Sequence, residues 1–167
     1  MFKLLETIYA AFDAIAQRLD IFKVETIGDC YVAVAGLPQP NPHHAVICAQ
    51  FAHHCVVAMK RLTSQLELTL GPGTSELSLR IGLHSGPVIA GVLRGEKSRF
   101  QLFGDTMNTA SRMESTGEVG KIQVSEVTAN LIEEAGKSHW LTRRLGTIAV
   151  KGKGELQVSR AVPCTPC

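Results

Sequence analysis

Two short segments of the chain carry the side chains that could do chemistry on a phosphate. The first, LFGDTMNTASRMESTG over residues 102–117, passes through a glycine into a predicted helix on which Asn108 and Arg112 stand four positions apart, on one face. The second, ETIGDCY over residues 25–31, places the carboxylate of Asp29 directly after Gly28, between two apolar runs. A carboxylate can hold Mg²⁺ and an amide–guanidinium pair can hold a charged phosphate, so the two segments together meet the needs of phosphoryl chemistry.

Each segment taken alone has an ordinary structural explanation. An aspartate at a hairpin tip is commonly a turn residue, because its side chain bonds its own backbone. An asparagine and an arginine at helical spacing commonly form a solvated helix face. From residue types and spacing alone, both explanations stay open beside the phosphate site.

Together and in this order, the two segments resemble the catalytic domain of class III nucleotide cyclases, the adenylyl and guanylyl cyclases. RIGLHSG over residues 80–86, Gly91, and VKGKG over residues 150–154 extend the resemblance from Leu4 to about Ala161. It implies an enzyme that converts a nucleoside triphosphate into the 3′,5′-cyclic monophosphate and pyrophosphate, or a half-catalytic or non-catalytic partner domain that completes a cyclase dimer. One departure stands out: the family's domain begins with a strand that bears an aspartate, whereas this chain starts inside the next helix. We therefore expect that strand and its aspartate to be missing.

The resemblance implies a role for each candidate residue. Asp29 matches the second of two aspartates that bind Mg²⁺ or Mn²⁺ in the family. Because a single carboxylate holds Mg²⁺ weakly, we expect the isolated chain to be inactive with that ion. Asn108 would orient the ribose, Arg112 would stabilise charge on the α-phosphate, and Lys151 would contact the triphosphate. For Lys151, the neighbouring Lys153 and a plain turn lysine are the alternatives.

Glu25 and Gln101 occupy the positions that read the base in these cyclases. A carboxylate at Glu25 can accept hydrogen bonds from N1 and N2 of guanine, and the amide of Gln101 can donate to O6. Glutamate matches the guanylyl pattern, whereas glutamine matches neither the guanylyl nor the adenylyl pattern. We expect GTP to be favoured over ATP.

Composition narrows the class of protein. The 167 residues are 45% hydrophobic, which is enough to build a sizeable core. The net charge is only +2 and the basic residues are scattered, which argues against a nucleic-acid-binding surface. No apolar run approaches the ~20 residues of a membrane span, and we expect a cytoplasmic domain, or the cytosolic part of a membrane protein.

One cyclase domain over residues 1–162 and a tail over 163–167 are expected. Cys164 and Cys167 in that tail have redox or zinc-ligand spacing, and an inert end is the alternative.

The pattern of elements predicts an α+β fold. Apolar periodicity predicts helices over residues 2–18, from Asn41-Pro42 to about Leu66, and after Ser125 as far as about Ala135. Alternation predicts strands over residues 22–27, 31–37, 77–84, 88–92, 100–103, 122–124, 140–145, 147–150 and 156–161. This indicates a mostly antiparallel sheet with helices on one face. The resemblance implies a ferredoxin-like βαββαβ core, N-terminally truncated, that pairs head to tail with a second cyclase domain.

Overall fold

The computed structural model describes residues 2–95 and 97–163. Within those residues the chain forms four helices: α1 Phe2–Arg18, α2 His44–Leu70, α3 Asp105–Ser115 and α4 Glu126–Glu134. The first predicted helix is confirmed at both ends. Its apolar residues recur every three or four positions, so a single stripe faces inward, and Ile8 and Phe12 on that stripe are buried.

The starts of the other predicted helices differ in accuracy. The predicted cap of α4 is confirmed, because Ser125 Oγ accepts the backbone N–H of Thr128 at 3.4 Å. The predicted start of α2 at Asn41 is wrong. Asn41 Oδ1 instead accepts the N–H of His43 at 2.9 Å, which closes a turn before the helix begins at His44. α2 also runs past Leu66, to Leu70.

Eight strands form three separate sheets within the described residues. They are β1 Phe22–Ile27, β2 Cys30–Val34, β3 Ile81–Leu83, β4 Ile89–Leu93, β5 Arg99–Phe103, β6 Ile122–Ser125, β7 Leu141–Val150 and β8 Gly154–Ala161. β1 and β2 pair as an antiparallel hairpin, and so do β4 and β5. The third sheet has the order β3-β6-β8-β7, in which β3 runs parallel to β6 and the other neighbours are antiparallel.

The α+β class is confirmed, but the single sheet was a wrong prediction. β2 and β3 share no backbone hydrogen bonds and belong to different sheets. The strand predicted over residues 77–84 is confined to Ile81–Leu83. The backbone before Ile81 pairs instead with the loop after α3, because the Gly120 N–H donates to the carbonyl of Leu79 at 2.6 Å. Of the predicted tail, Cys164 and Cys167 lie outside the described residues.

Three buried clusters hold the described elements together, and one of them joins Ala45 and Ala49 of α2 to Ile132 and Trp140. Ile8 and Phe12 of α1 pack with Cys55 and Met59 of α2. Ala52 of α2 packs with Ile122, Val124 and Ala161 of the third sheet and with Ala129 of α4. Apolar burial of this kind is the main stabilising term of a domain, and here it fixes α2 against the sheet. No helix of the described residues is both long and apolar enough to cross a bilayer.

Candidate active site

A cleft of about 440 Å³ opens between α3 and the turn that joins β7 to β8. Three residues singled out from the sequence, Asn108, Arg112 and Lys151, lie on its walls. The lining residues are Asp105, Asn108, Thr109, Ser111, Arg112, Val150, Lys151 and Lys153. The structure therefore brings the phosphate-side candidates together from two elements that are distant in sequence.

Gly104 and Thr106 fix the start of α3. Gly104 precedes the helix with φ +123°, a left-handed value that disfavours any side chain. Thr106 Oγ1 then donates to the carbonyl of Pro87 at 2.6 Å, which ties the first turn of α3 to the loop before β4. Together these contacts set the direction in which α3 leaves β5.

Gly82 brings the far end of α3 against the third sheet. A Cβ built at Gly82 would lie 2.1 Å from the backbone nitrogen of Glu114 and 2.5 Å from the carbonyl carbon of Met113. The helix backbone thus rests on β3 at the one point where no side chain stands. Met113 is fully buried on this side of α3, and its neighbour Arg112 is exposed at the cleft.

A polar group that we name the α3 anchor, formed by Thr116, Gln123 and Arg144, holds the C-terminal end of α3. Gln123 is buried, and its Nε2 donates to Thr116 Oγ1 at 2.8 Å. Arg144 Nη1 donates to the carbonyl of Thr116 at 3.1 Å and to Gln123 Oε1 at 2.7 Å. A cation at a helix C-terminus is favoured by the helix dipole, so the α3 anchor also suits the polarity of α3.

The turn between β7 and β8 presents the lysines of the cleft. Val150 pairs with Gly154, and the N–H of Lys153 donates to the carbonyl of Val150 at 3.0 Å. Gly152 has φ +84°, as this tight turn requires. Lys151 is exposed at the cleft, and Lys153 Nζ forms an ion pair across it with the carboxylate of Asp105, the first residue of α3. The cleft thus holds three cationic side chains and one carboxylate.

One hydroxyl at the cleft is buried and unsatisfied. Thr109 is 2% exposed, and its Oγ1 has no hydrogen-bond partner within the described residues. Buried hydroxyls in proteins are usually paired, because an unpaired one loses its bonds to water. This wall of the cleft therefore has a free hydrogen-bonding group.

Asp29 lies on a different part of the molecule. It is exposed in the two-residue turn between β1 and β2, where Ile27 pairs with Cys30, and Gly28 has φ +60°. Tyr9 Oη of α1 donates to the carbonyl of Gly28 at 3.2 Å, which tethers the turn to α1. Asp29 does not line the cleft that holds Asn108 and Arg112.

The carboxylates around this turn make its surroundings electronegative. Burial raises the pKa of the Cys30 thiol, and the negative charges of Glu114, Asp29 and Glu25 raise it further. A hard oxygen donor in such a place is the kind that Mg²⁺ prefers. Asp29 thus fits the ion by its chemistry, although the described residues contain no group of three or more His, Cys, Asp or Glu that could hold a metal.

Glu25 and Gln101 stand on strands that pack together. Glu25 lies on β1 and Gln101 on β5, and both are half-buried. The two strands meet at Phe22 and Phe100, whose rings cross edge to face with centroids 5.2 Å apart. Neither Glu25 nor Gln101 lines the cleft.

A hydrogen-bonded group beside the cleft centres on His84. Its Nδ1 lies 2.7 Å from Ser125 Oγ, and Ser85 Oγ lies 2.9 Å from Thr128 Oγ1. Burial lowers the pKa of His84, the charge of Lys153 lowers it further, and the charge of Asp105 opposes both. The charges of both partners of the ion pair across the cleft therefore influence the pKa of His84.

Four lining residues had no role predicted from the sequence: Asp105, Thr109, Ser111 and Val150. Asp105, Asn108 and Arg112 follow one another at spacings of three and four residues, so helical periodicity could have placed the aspartate on the same face. Its pairing with Lys153 joins residues on distant elements, and no local pattern reports such a contact.

Comparison with known proteins identifies relatives over nearly the whole chain. Residues 1–159 match the family described as "Adenylate and Guanylate cyclase catalytic domain". Human atrial natriuretic peptide receptor 2 is 44% identical over 155 residues, a match that covers 92% of this chain and 14% of the receptor. The chain thus spans about one seventh of the length of that relative.

Solved structures show the same likeness. The guanylate cyclase domain of RhGC from Catenaria anguillulae, solved in complex with GTP, superposes with a TM-score of 0.79 at 38% identity, covering 97% of this chain and 83% of that one. The adenylyl cyclase CyaB from P. aeruginosa superposes with a TM-score of 0.85 at 26% identity, covering 98% and 83%.

Proposed function

Because this chain belongs to the family of adenylate and guanylate cyclase catalytic domains, we propose that it cyclises a nucleoside triphosphate, GTP in preference to ATP, to the 3′,5′-cyclic monophosphate and pyrophosphate. The observation that carries the proposal is the cleft, in which Asn108, Arg112 and Lys151 meet from two distant elements. The GTP complex of a relative that is 38% identical supports the choice of base.

The chemistry assigned to the cleft follows from its side chains. The ribose 3′-hydroxyl loses its proton to solvent and its oxygen bonds to the α-phosphorus. The bond from that phosphorus to the bridging oxygen breaks, so pyrophosphate leaves with the bonding electron pair. Arg112 donates two hydrogen bonds from its planar fork to the α-phosphate oxygens, where negative charge grows in the transition state. Asn108, one turn earlier on the same face, orients the ribose, and Lys151 binds the leaving pyrophosphate.

Asp29 is the residue we assign to Mg²⁺ or Mn²⁺. When bound, the ion would lower the pKa of the ribose hydroxyl and offset charge on the triphosphate. Asp29 lies outside the cleft of its own chain, so we propose that it serves the cleft of a second cyclase domain in a head-to-tail dimer. A partner that contributes its own metal carboxylates would likewise serve this cleft.

The separation of Asp29 from the cleft also favours a second candidate, a half-catalytic partner. In that case the chain supplies the phosphate side of a heterodimer site and the other domain supplies the metal side. The two candidates differ in one measurement: turnover of GTP and ATP by the purified chain alone, with Mg²⁺ or Mn²⁺. Cyclic nucleotide made by the chain alone supports the homodimer, and activity that appears only after mixing supports the half-catalytic partner.

The proposal is tested by complementation. The chain is mixed with a related cyclase domain whose own arginine equivalent to Arg112 has been replaced by alanine, and cyclic nucleotide is measured. We expect activity to be rescued, and we expect Arg112→Ala in this chain to reduce the rescue by roughly a hundred- to a thousandfold, the usual effect of one oxyanion donor. Arg143→Ala removes the same charge from an exposed position on β7 and should leave the rescue intact. A rescue that does not depend on Arg112 would contradict the assignment.

A further inference from the structure

The cleft contains a carboxylate of the protein itself among the cationic side chains that would bind a phosphate. Asp105 and Lys153 both line it, and the carboxylate of Asp105 pairs with the Lys153 ammonium. Lys151, two residues from Lys153 along the same turn, also lines the cleft. One of the two lysines is therefore already engaged by an anion of the protein itself.

We propose that Asp105 is a placeholder anion: it holds Lys153 when no phosphate is bound, and a bound polyphosphate replaces Asp105 as the partner of Lys153. This inference rests on the proposed function, because it concerns the same cleft, and it names a ligand class, the polyphosphates. It makes Lys153 a second phosphate-binding lysine and Asp105 a residue that limits affinity.

The ion pair is built so that it can be exchanged. Its side chains are 32% and 67% exposed for Lys153 and Asp105, and partly exposed pairs are weakly held. A pyrophosphate group carries several charges and more acceptor oxygens than one carboxylate, so it competes well for an ammonium group. Exchange therefore favours the polyphosphate.

Asp105 also has a favourable place to stay after release. It is the first residue of α3, and the positive end of the helix dipole stabilises a carboxylate there without any help from a lysine. Releasing Lys153 does not leave a buried, unpaired charge, because Asp105 is exposed. The opposite case, a buried pair, would resist exchange strongly.

The test is binding of inorganic pyrophosphate by calorimetry. We expect Asp105→Asn to bind pyrophosphate roughly two- to fivefold more tightly than the unaltered chain, the range that the loss of one exposed ion pair allows. Glu133→Gln removes the same charge from an exposed position on α4 and should leave the affinity unchanged. Asp105→Ser, which suits a helix start, is the second variant in case asparagine impairs folding.

A double-mutant cycle separates exchange from simple repulsion. If Asp105 acts by holding Lys153, Asp105→Asn gives no gain in a chain that already carries Lys153→Gln. A gain that persists in that background shows general charge repulsion and overturns the proposal. Unchanged or weaker binding by Asp105→Asn, or no pyrophosphate binding by any variant, also overturns it.

Failure of the proposed function gives a different pattern. If Lys151→Ala leaves pyrophosphate affinity unchanged while the Asp105–Lys153 cycle behaves as expected, the exchange stands and the assigned role of Lys151 fails. If Lys151→Ala weakens pyrophosphate binding and the cycle shows no coupling, the exchange fails and the phosphate cleft stands.

Discussion

Glu25 and Gln101 are the residues through which the choice of base can be tested. An ionised carboxylate opposite adenine N1 sets acceptor against acceptor, whereas opposite guanine it accepts from N1 and N2. An unmatched polar group in a partly buried site costs ~1–3 kcal/mol, which corresponds to about a 5- to 160-fold change in affinity. Glutamine on β5 is a flexible partner, since its amide both donates and accepts.

We expect the chain to bind GTP more tightly than ATP, and we expect Glu25→Lys combined with Gln101→Asp to shift that preference towards ATP. The measurement is the affinity for each nucleotide before and after the double change. Glu133→Lys alters an exposed glutamate of α4 and should shift neither affinity. A preference for ATP in the unaltered chain, or one that the double change leaves untouched, would show that these residues do not read the base.

His84 should make stability depend on pH. Its pKa in the folded chain lies below the usual 6.5, chiefly because of burial, so the unfolded chain takes up a proton first as pH falls. The stabilisation by neutral His84 is therefore complete above pH 6.5 and is lost as pH falls through the folded pKa. We expect the free energy of unfolding to decrease from neutral pH to about pH 5.

Urea unfolding over this pH range measures the effect. His84→Gln keeps a hydrogen-bonding side chain near Ser125 and should flatten the dependence. The part that remains should come from other groups, including His54, whose pKa is also lowered by burial and by nearby Arg18. An unchanged slope in His84→Gln would place the titrating group elsewhere.

At the scale of elements, the packing of α3 on β3 is the most sensitive contact. Gly82→Ala would place a methyl group 2.1 Å from the Glu114 nitrogen, so the helix must move. We expect a loss of ~1–3 kcal/mol in stability, typical of overpacking, together with a loss of cleft activity because α3 carries Arg112. Thermal and urea unfolding measure the first effect, and the complementation assay measures the second.

Gly91→Ala is the matched control. A Cβ at Gly91, on β4, meets only the Phe103 ring at 3.5 Å, which is ordinary contact. If both variants unfold alike, the close approach at Gly82 does not carry the effect.

Helices were easier to predict than sheets. The stripe of α1 and the Ser125 cap of α4 are local patterns, and both predictions are confirmed. Strand pairing joins distant segments, so alternation alone gave no sign that β2 and β3 would lie in separate sheets. Asn108 and Arg112 share a face by spacing, and this part of the site was predictable. The ion pair of Asp105 with Lys153 depends on how β7 and β8 fold back to α3, which only the tertiary structure gives.

At the scale of the whole molecule, one face of the β4–β5 hairpin is apolar and exposed among the described residues. Strand alternation and the pairing of Ile89 with Phe103 place Ile89, Leu93 and Phe103 on one face of the β4–β5 hairpin, the face that also holds Gln101. These side chains are 70%, 51% and 40% exposed. Exposed apolar patches of this kind are typical of interfaces, and a second cyclase domain is the partner that the proposed function requires.

We expect Ile89→Asp to weaken self-association, because a charge at the interface core is costly to desolvate. Sedimentation over a range of concentrations measures it. Leu145→Asp is the control, since Leu145 is 99% exposed on β7 and stands outside this face. Equal effects of the two changes, or no effect of either, would show that the hairpin face does not mediate the contact.

The hydrogen bond from Tyr9 to the carbonyl of Gly28 gives the turn of Asp29 a mechanical connection. Tyr9 belongs to an aromatic group with Phe12 and Tyr31. The centroid of its ring lies 6.5 Å from that of Phe12 and 5.8 Å from that of Tyr31. A rotation of α1 about its axis would therefore strain the hydrogen bond between Tyr9 and the turn. The position of the carboxylate proposed to hold the metal is thus coupled to the orientation of α1, through the hydrogen bond from Tyr9 to the residue before Asp29.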